Sequence, residues 1–479
     1  MSDSYNLVII GAGSGGLSAA ALAAQLGVRV ALVEKNRIGG DCTWSGCVPS
    51  KTLLKAARVA HEMRTADRYG LPAAEPQVDL RAVMAHVRDV IAEIAEEESP
   101  EALRANGVDV FLGQARFVDP QSVVIQAVLP EEAGETTLTA RRFLIATGAR
   151  PFIPPIVGLD QVDYLTYETV WNLEDLPRRL LIVGGGPIGC EMAQAFRRLG
   201  AGVTLLAARD RLLPRDDPQA ARVLAQVLED EGVQVVYDAR VERAWQDSDG
   251  IHVGAAGNEY SGDGLLIASG RRPMVDGLDL EKAGVLYSGR GIQVDNYLRT
   301  SQQQIYAAGD CTGGPQFTHY AGWQATLAVR NALLPGSSKA ISDRVPWATF
   351  TDPEVAHVGL TEGEARERLG DSIMTCDWPM ARVDRARTEG DTAGFIKLVH
   401  KKDGTLLGAT IVGARAGEMI HEWIVALHAG IKVGELSNAI HVYPSYSVAG
   451  QQAAAAIRIN NLLSGPSGRV VRGLVHLMR

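Results

Sequence analysis

The 479-residue sequence is poor in cysteine, with five, at positions 42, 47, 190, 311 and 376. So few thiols exclude a disulfide-stapled scaffold and suit a reducing compartment. No run of about 18 apolar residues occurs, so no membrane-spanning helix is expected. The opening Met1-Ser2-Asp3-Ser4 lacks the basic region and apolar core of a secretory signal. Positive charge is also short: 47 Lys and Arg against 56 Asp and Glu give a net charge of −9, which argues against a general nucleic-acid binder. A cytoplasmic protein without membrane insertion or a nucleic-acid partner is expected. Apolar material is not lacking: 46% hydrophobic and 22% charged residues exclude a mainly disordered chain. The length is about three times a ~150-residue domain, so two or three domains are expected. Glycine is in excess, at 51 residues where ~7% is usual, as befits backbone that approaches a ligand closely.

One place for that glycine is near the start. Asn6 to Ile10 reads as a strand, Gly11-Ala12-Gly13-Ser14-Gly15-Gly16 as a turn, Leu17 to Leu26 as a helix and Val28 to Val33 as a second strand ending at Glu34. This order suits a dinucleotide. Gly11 permits the tight turn, Gly13 lets a pyrophosphate reach the backbone, and Gly16 allows close helix–strand packing. The helix N-terminus supplies N–H donors, and Glu34, with Lys35 beside it, can bind ribose hydroxyls. A bare GxGxxG could be an ordinary glycine-rich turn; the full βαβ context favours the dinucleotide.

The pattern recurs 173 residues later. Leu180 to Val183 leads into Gly184-Gly185-Gly186-Pro187-Ile188-Gly189, then a helix through Leu199 and a strand from Val203 to Leu206. Ala207 stands where the first unit has Glu34, and Arg209, Arg211 and Arg215 follow, partly offset by Asp210, Asp216 and Asp217. Loss of the acid together with nearby guanidiniums favours a 2′-phosphate, hence NADP over NAD. The competing reading is solvated surface charge. Two such units imply a bound flavin and a diffusing nicotinamide. Three strand ends follow in order: Ala146-Thr147-Gly148, Ser269-Gly270-Arg271-Arg272-Pro273, and Gly309-Asp310, whose acid is placed to bond a cofactor hydroxyl.

Two of the five cysteines lie five residues apart, in Gly39-Gly40-Asp41-Cys42-Thr43-Trp44-Ser45-Gly46-Cys47-Val48-Pro49-Ser50-Lys51. Helical spacing from Thr52 to Met63 puts Cys47 near a helix N-terminus, which favours thiolate. Cys42 is close enough in sequence to pair with it. Metal binding competes, but C-x4-C with no second Cys/His pair nearby is a poor zinc site, and no metal is expected. Buried inert thiols are the remaining alternative.

These residues resemble the flavoprotein disulfide reductases, the family of dihydrolipoamide dehydrogenase, glutathione reductase and mercuric reductase. Carrying the likeness are the two glycine motifs, the Cys42/Cys47 stretch ending Pro49-Ser50-Lys51, Ala308-Gly309-Asp310, and Phe350-Thr351-Asp352-Pro353-Glu354. The resemblance implies an α/β chain with two Rossmann-like dinucleotide-binding domains and a C-terminal α+β dimerisation domain. The FAD domain would comprise 1–150 and 271–345, the NAD(P) domain 151–270 and the interface domain 346–479, in a homodimer. FAD would lie on Gly11, Gly13, Gly16, Glu34, Lys35, Thr147, Gly148, Gly309 and Asp310. NADP would lie on Gly184, Gly186, Gly189, Arg209, Arg211 and Gly270. Cys47 would be the flavin-contacting thiol and Cys42 the interchange thiol, with Lys51 near the flavin and paired with Glu191.

The likeness breaks at the C-terminus. Dithiol-using members carry His-x-His-Pro-Thr-x-x-Glu, whereas this chain reads His441-Val442-Tyr443-Pro444-Ser445-Tyr446-Ser447-Val448. Tyr443 replaces the acid/base histidine and Val448 the orienting glutamate. A phenol of pKa ~10 is a poor base near pH 7, so turnover of a lipoamide- or glutathione-type disulfide should be slow. Tyr443 and Tyr446 could alternatively pack at the subunit interface. Mercuric reductases also lack that histidine, but they carry a C-terminal cysteine pair, and this chain has no thiol after Cys376. The primary expectation is an NADPH- and FAD-dependent oxidoreductase that is dihydrolipoamide dehydrogenase-like, passing electrons through Cys42–Cys47 to a small-molecule or protein disulfide. A mercuric-reductase-like enzyme acting on a metal ion, quinone or oxygen is the alternative. A redox-responsive binding flavoprotein is a third reading, disfavoured by the completeness of the dithiol and both nucleotide units.

Overall fold

The computed structural model describes residues 4–127, 134–463 and 465–478. Its first unit starts with strand β1 (Leu7–Ile10), helix α1 (Ser14–Gln25) and strand β2 (Val30–Glu34). The helix begins three residues earlier than its apolar periodicity suggests, because the glycines of the turn themselves enter its first turn. Helix α2 (Cys47–Arg64) follows. The parallel part of the sheet runs in the order Ile305–Ala307, Phe143–Ile145, β1, β2, Val108–Asp119, and an antiparallel meander through Glu135–Thr139 extends it. β1 and β2 are buried along their whole length, which explains their unbroken apolar runs.

The second unit repeats the first: strand β3 (Arg179–Val183), helix α3 (Pro187–Leu199) and strand β4 (Gly202–Leu206), within a four-stranded parallel sheet. The two turns match bond for bond. Gly11 N–H donates to Val33 O at 2.8 Å, and Gly184 N–H to Leu206 O at 2.9 Å; Ala146 N–H donates to Ile10 O and Ala268 N–H to Val183 O, both at 2.8 Å. Between the units the chain crosses twice, and the crossings Ala149–Pro151 and Arg271–Pro273 pair antiparallel.

Helix α4 (Thr318–Leu333) then returns against α1. The last part of the chain is a five-stranded antiparallel sheet over Trp347–Gly413, covered by the helix Ala416–Ala429 and by α5 (Val448–Leu463). Its core includes Ile396, Leu398, Ile411, Ile420 and Trp423. A final helix, α6 (Gly465–Leu477), lies beyond it. Among the described residues, no helix is long and apolar enough to cross a membrane.

Candidate active site

The two glycine turns open onto one continuous cleft of about 2030 Å³, which also reaches Cys42, Cys47, Lys51 and Glu191. A drug-sized ligand needs roughly 300–1,000 Å³, so this volume suits two extended molecules. The glycines divide by geometry. A Cβ on Gly16 would lie 1.8 Å from Gly11 O, and one on Gly189 would lie 1.8 Å from Gly184 O. Gly11 and Gly184 take φ of +103° and +127°, with Ala146 O and Ala268 O only 2.4 and 2.3 Å from a built Cβ. Those four are glycine because the fold requires it. Gly13 and Gly186 differ: a Cβ would meet only Gly40 Cα at 3.9 Å in the first case and nothing within 4 Å in the second. Each leaves, in front of a helix N-terminus, a cradle that a side chain would fill. That is the geometry a pyrophosphate needs, and the residues present therefore fit two dinucleotides.

Cys47 is the first residue of α2, with Gly46 as the N-cap and no acid in the first turn. Its thiol is open to the cleft and lies 3.3 Å from Thr318 Oγ1, the first residue of α4. A hydrogen bond from Cys42, joined by Thr318 and the charge of Lys51, lowers the Cys47 thiol to about 6, against burial and the charge of Glu191. The Cys42 thiol moves up, first because it shares its hydrogen bond with Cys47 and then through burial. The geometry thus favours one thiolate and one thiol, on Cys47 and Cys42 respectively.

One turn along α2, Lys51 Nζ donates to both oxygens of Glu191, at 3.0 and 3.2 Å. Glu191 is buried on α3 and also accepts from Phe350 N–H at 2.9 Å. The Lys51 ammonium stands 4.4 Å from the centre of the Phe350 ring. Three distant segments therefore fix one ammonium beside the dithiol.

Family models match the chain twice: pyridine nucleotide-disulphide oxidoreductase over residues 5–325, and the dimerisation domain of the same enzymes over 345–454. This chain belongs to the pyridine nucleotide-disulphide oxidoreductase family. Mercuric reductase of Bacillus cereus is 38% identical over 92% of this chain and 69% of its own length. Dihydrolipoyl dehydrogenase of Thermus scotoductus is 37% identical over 95% and 97%. Among solved structures, the Cu(II) complex of the HOCl-induced flavoprotein disulfide reductase RclA from Escherichia coli superposes with a TM-score of 0.86 at 31% identity, covering 95% of this chain and all of that one. LpdA from Mycobacterium tuberculosis gives 0.87 at 31%, over 94% and 99%. The protein is thus a flavoprotein oxidoreductase of a family that uses FAD and NAD(P)H.

Within this oxidoreductase, the cleft gathers Gly11, Gly13, Glu34, Lys35, Thr147, Gly148, Gly309 and Asp310 on one side and Gly184, Gly186, Arg209, Arg211 and Gly270 on the other. Gly16 and Gly189 stand one step behind, as packing glycines. Glu34 accepts from Ala12 N–H at 2.7 Å and Asn36 N–H at 2.8 Å, which holds its carboxylate at the mouth of the first turn. Asp310 is buried and paired with Arg271 at 2.6 Å; Arg271 also bonds Asp41, the residue before Cys42.

Several expectations change. Asp217 is buried and paired with Lys397 at 3.0 Å rather than with the arginines, whereas Asp216, buried and accepting from Trp347 Nε1 at 2.8 Å, lines the same cleft and feels the charges of Arg211 and Arg215. Arg209, Arg211 and Arg215 line the cleft, where Asp216 partly offsets them. Tyr446 packs inside its own chain, donating to Glu389 at 2.8 Å. Glu98 accepts from Thr43 Oγ1 at 2.9 Å in the dithiol turn. Tyr443 is 67% exposed, bonds Asp384 at 3.0 Å and lies outside the cleft of its own chain.

The residues that sequence reasoning missed are Thr318, Arg240, Asp41 and Arg271 as a pair, and Phe350. Thr318 and Phe350 reach the dithiol region from segments far off in sequence, as Arg271 reaches Asp41. The motif spacing carries no signal for Thr318 or Arg240; Arg271 was visible only as part of a strand end.

Proposed function

We propose that the protein is an NADPH-dependent, FAD-containing reductase that is dihydrolipoamide dehydrogenase-like and uses Cys42–Cys47 to reduce a disulfide. One observation carries this reading: a single cleft joins both pyrophosphate cradles to a thiol held near pKa 6, with Lys51–Glu191 at their junction. FAD would rest on Gly13, Glu34, Thr147, Gly148 and Asp310, and when bound it supplies hydride relay between nicotinamide and thiols.

The chain's own part is thiol exchange. Cys42, deprotonated, attacks one sulfur of the substrate disulfide; that S–S bond breaks, a mixed disulfide forms, and one substrate thiolate leaves. The Cys47 thiolate then attacks Cys42 Sγ, closing Cys42–Cys47 and releasing the second substrate thiolate. Each leaving thiolate takes a proton, so a dithiol and a disulfide become a disulfide and two thiols. Lys51 holds positive charge beside the pair throughout. The proton on Cys42 is the difficult one, since the Tyr443 phenol is itself pushed up by its bond to Asp384 and makes a poor base.

NADP preference rests on Ala207, buried where Glu34 stands in the other unit, and on Arg209, Arg211, Arg215 and Arg240 around the same end of the cleft. A homodimer rests on the dimerisation-domain match and on the exposed stretch Ile440, Val442 and Tyr443.

Anaerobic titration of the holoenzyme tests the relay. Two electrons from NADPH should produce long-wavelength absorbance from the Cys47 thiolate, absent in Cys47→Ala; a wild-type protein without that band overturns the reading. kcat/KM for NADPH should exceed that for NADH at least tenfold, and Arg209→Ala with Arg211→Ala should erase the difference. Lipoamide, glutathione disulfide, Hg(II) and a quinone as acceptors then separate a disulfide reductase from an enzyme serving metal ions or quinones, a second reading that the loss of histidine at Tyr443 favours.

A further inference from the structure

The last stretch of the chain has a charge of its own. From Leu436 to the final residue there is no Asp or Glu and there are four arginines, in a chain whose net charge is −9. Within this stretch, α6 spans Gly465–Leu477. At 100° per residue, Val470, Leu474, Val475 and Leu477 fall on one arc, continued by Met478, and Arg469, Arg472 and Gly473 on the other. Among the described residues, the charge on the polar arc is that of Arg469 and Arg472 alone. The apolar arc is not used inside the chain: Val470 is 61% exposed, Leu474 56%, Leu477 85% and Met478 89%. At the preceding end of α5, Leu462 and Leu463 extend it, 52% and 40% exposed.

The match to the dimerisation domain ends at residue 454, before α6 begins at Gly465. A symmetric contact between copies would set one arginine-bearing helix against another, with like charges opposed and no acid on either to separate them. An amphipathic helix with Arg469 and Arg472 on its polar face, no acid, and an apolar face open to solvent instead fits an anionic bilayer surface. There the apolar side chains sink to the acyl boundary while the arginines meet lipid phosphates. We infer that α6 docks the enzyme peripherally on anionic membranes. The helix lies in the interface and does not cross it, so the catalytic cleft remains in water.

The test is cosedimentation of the purified holoenzyme with vesicles of phosphatidylcholine alone or mixed with phosphatidylglycerol. Binding to the mixed vesicles at low salt, weak binding to phosphatidylcholine and release at about 1 M salt, where charge is screened beyond ~3 Å, are expected. Val470→Glu with Leu474→Glu should lower the partition coefficient at least tenfold, and Arg469→Ala with Arg472→Ala about as much. Both variants should keep wild-type FAD content, NADPH oxidation and oligomeric size. Failure of the wild type to sediment with the anionic vesicles overturns the proposal. So does a change of oligomeric size in the Val470→Glu, Leu474→Glu variant, which would identify the face as a contact between copies.

Discussion

Cys47 shows how several weak effects converge on one atom. The start of α2, the bonds from Cys42 and Thr318, and the Lys51 charge all act toward thiolate, and together they exceed the opposing effect of burial. The pH dependence follows with its sign. A thiol lowered to about 6 is mostly ionised at neutral pH, so the long-wavelength absorbance of reduced holoenzyme should fall on acidification with a midpoint near 6. Thr318→Val removes one donor and should shift that midpoint upward; an unmoved midpoint removes Thr318 from the account. Asp216 behaves oppositely. Burial holds it at about 6 against an ordinary 3.8, so the folded protein favours its protonated form. That contribution to stability is complete below pH 3.8 and lost as pH rises through 6. Asp216→Asn keeps an acceptor for Trp347, and should raise stability at pH 7.5 by up to about 3 kcal/mol while changing little at pH 4. Urea unfolding at the two pH values measures this.

At the level of elements, the same six-residue turn occurs twice and its glycines separate into two kinds. Gly189→Ala places a Cβ 1.8 Å from Gly184 O, and an overpacked backbone of this kind should cost about 3 kcal/mol. Gly186→Ala meets nothing within 4 Å and should leave the melting temperature nearly unchanged while raising KM for NADPH at least tenfold. Thermal melts beside steady-state kinetics distinguish the two. This division also shows what the sequence made legible. The βαβ units, the position of Cys47 at a helix start and the Lys51–Glu191 pair depend on local spacing or on a known motif, and they can be read in one dimension. Thr318 and the Asp41–Arg271 pair cannot, because each contact is made across more than two hundred residues, and Arg240 belongs to no motif. Asp217 was misjudged for the same reason: adjacency to arginines in sequence says nothing of Lys397, which arrives from another sheet.

For the whole molecule, the dithiol and the C-terminal stretch have to be considered together. Tyr443 lies outside the cleft of its own chain, on an exposed segment with Ile440 99% and Val442 80% accessible. Such apolar exposure has a natural role if the segment meets a second subunit. Ile440→Glu with Val442→Glu should therefore yield monomers by sedimentation and abolish disulfide turnover, while NADPH-driven reduction of a small quinone persists. In the dimer, Tyr443 would face the partner's dithiol, where a group of pKa near 7 would serve and a phenol does not. Its hydroxyl is committed to Asp384, and Val448, where the family places a carboxylate, is a buried residue opening α5. Tyr443→His alone gains an imidazole without the acid to orient it. Adding Val448→Glu sets that acid at a helix N-terminus, which favours its charge. The double variant should raise lipoamide turnover at pH 7 on the order of 10²-fold, the usual size of general acid–base assistance, and flatten its dependence on alkaline pH. If the rates of wild type, single and double variants coincide, proton transfer at Cys42 does not limit the reaction, and the acceptor must be one that needs no proton from the protein.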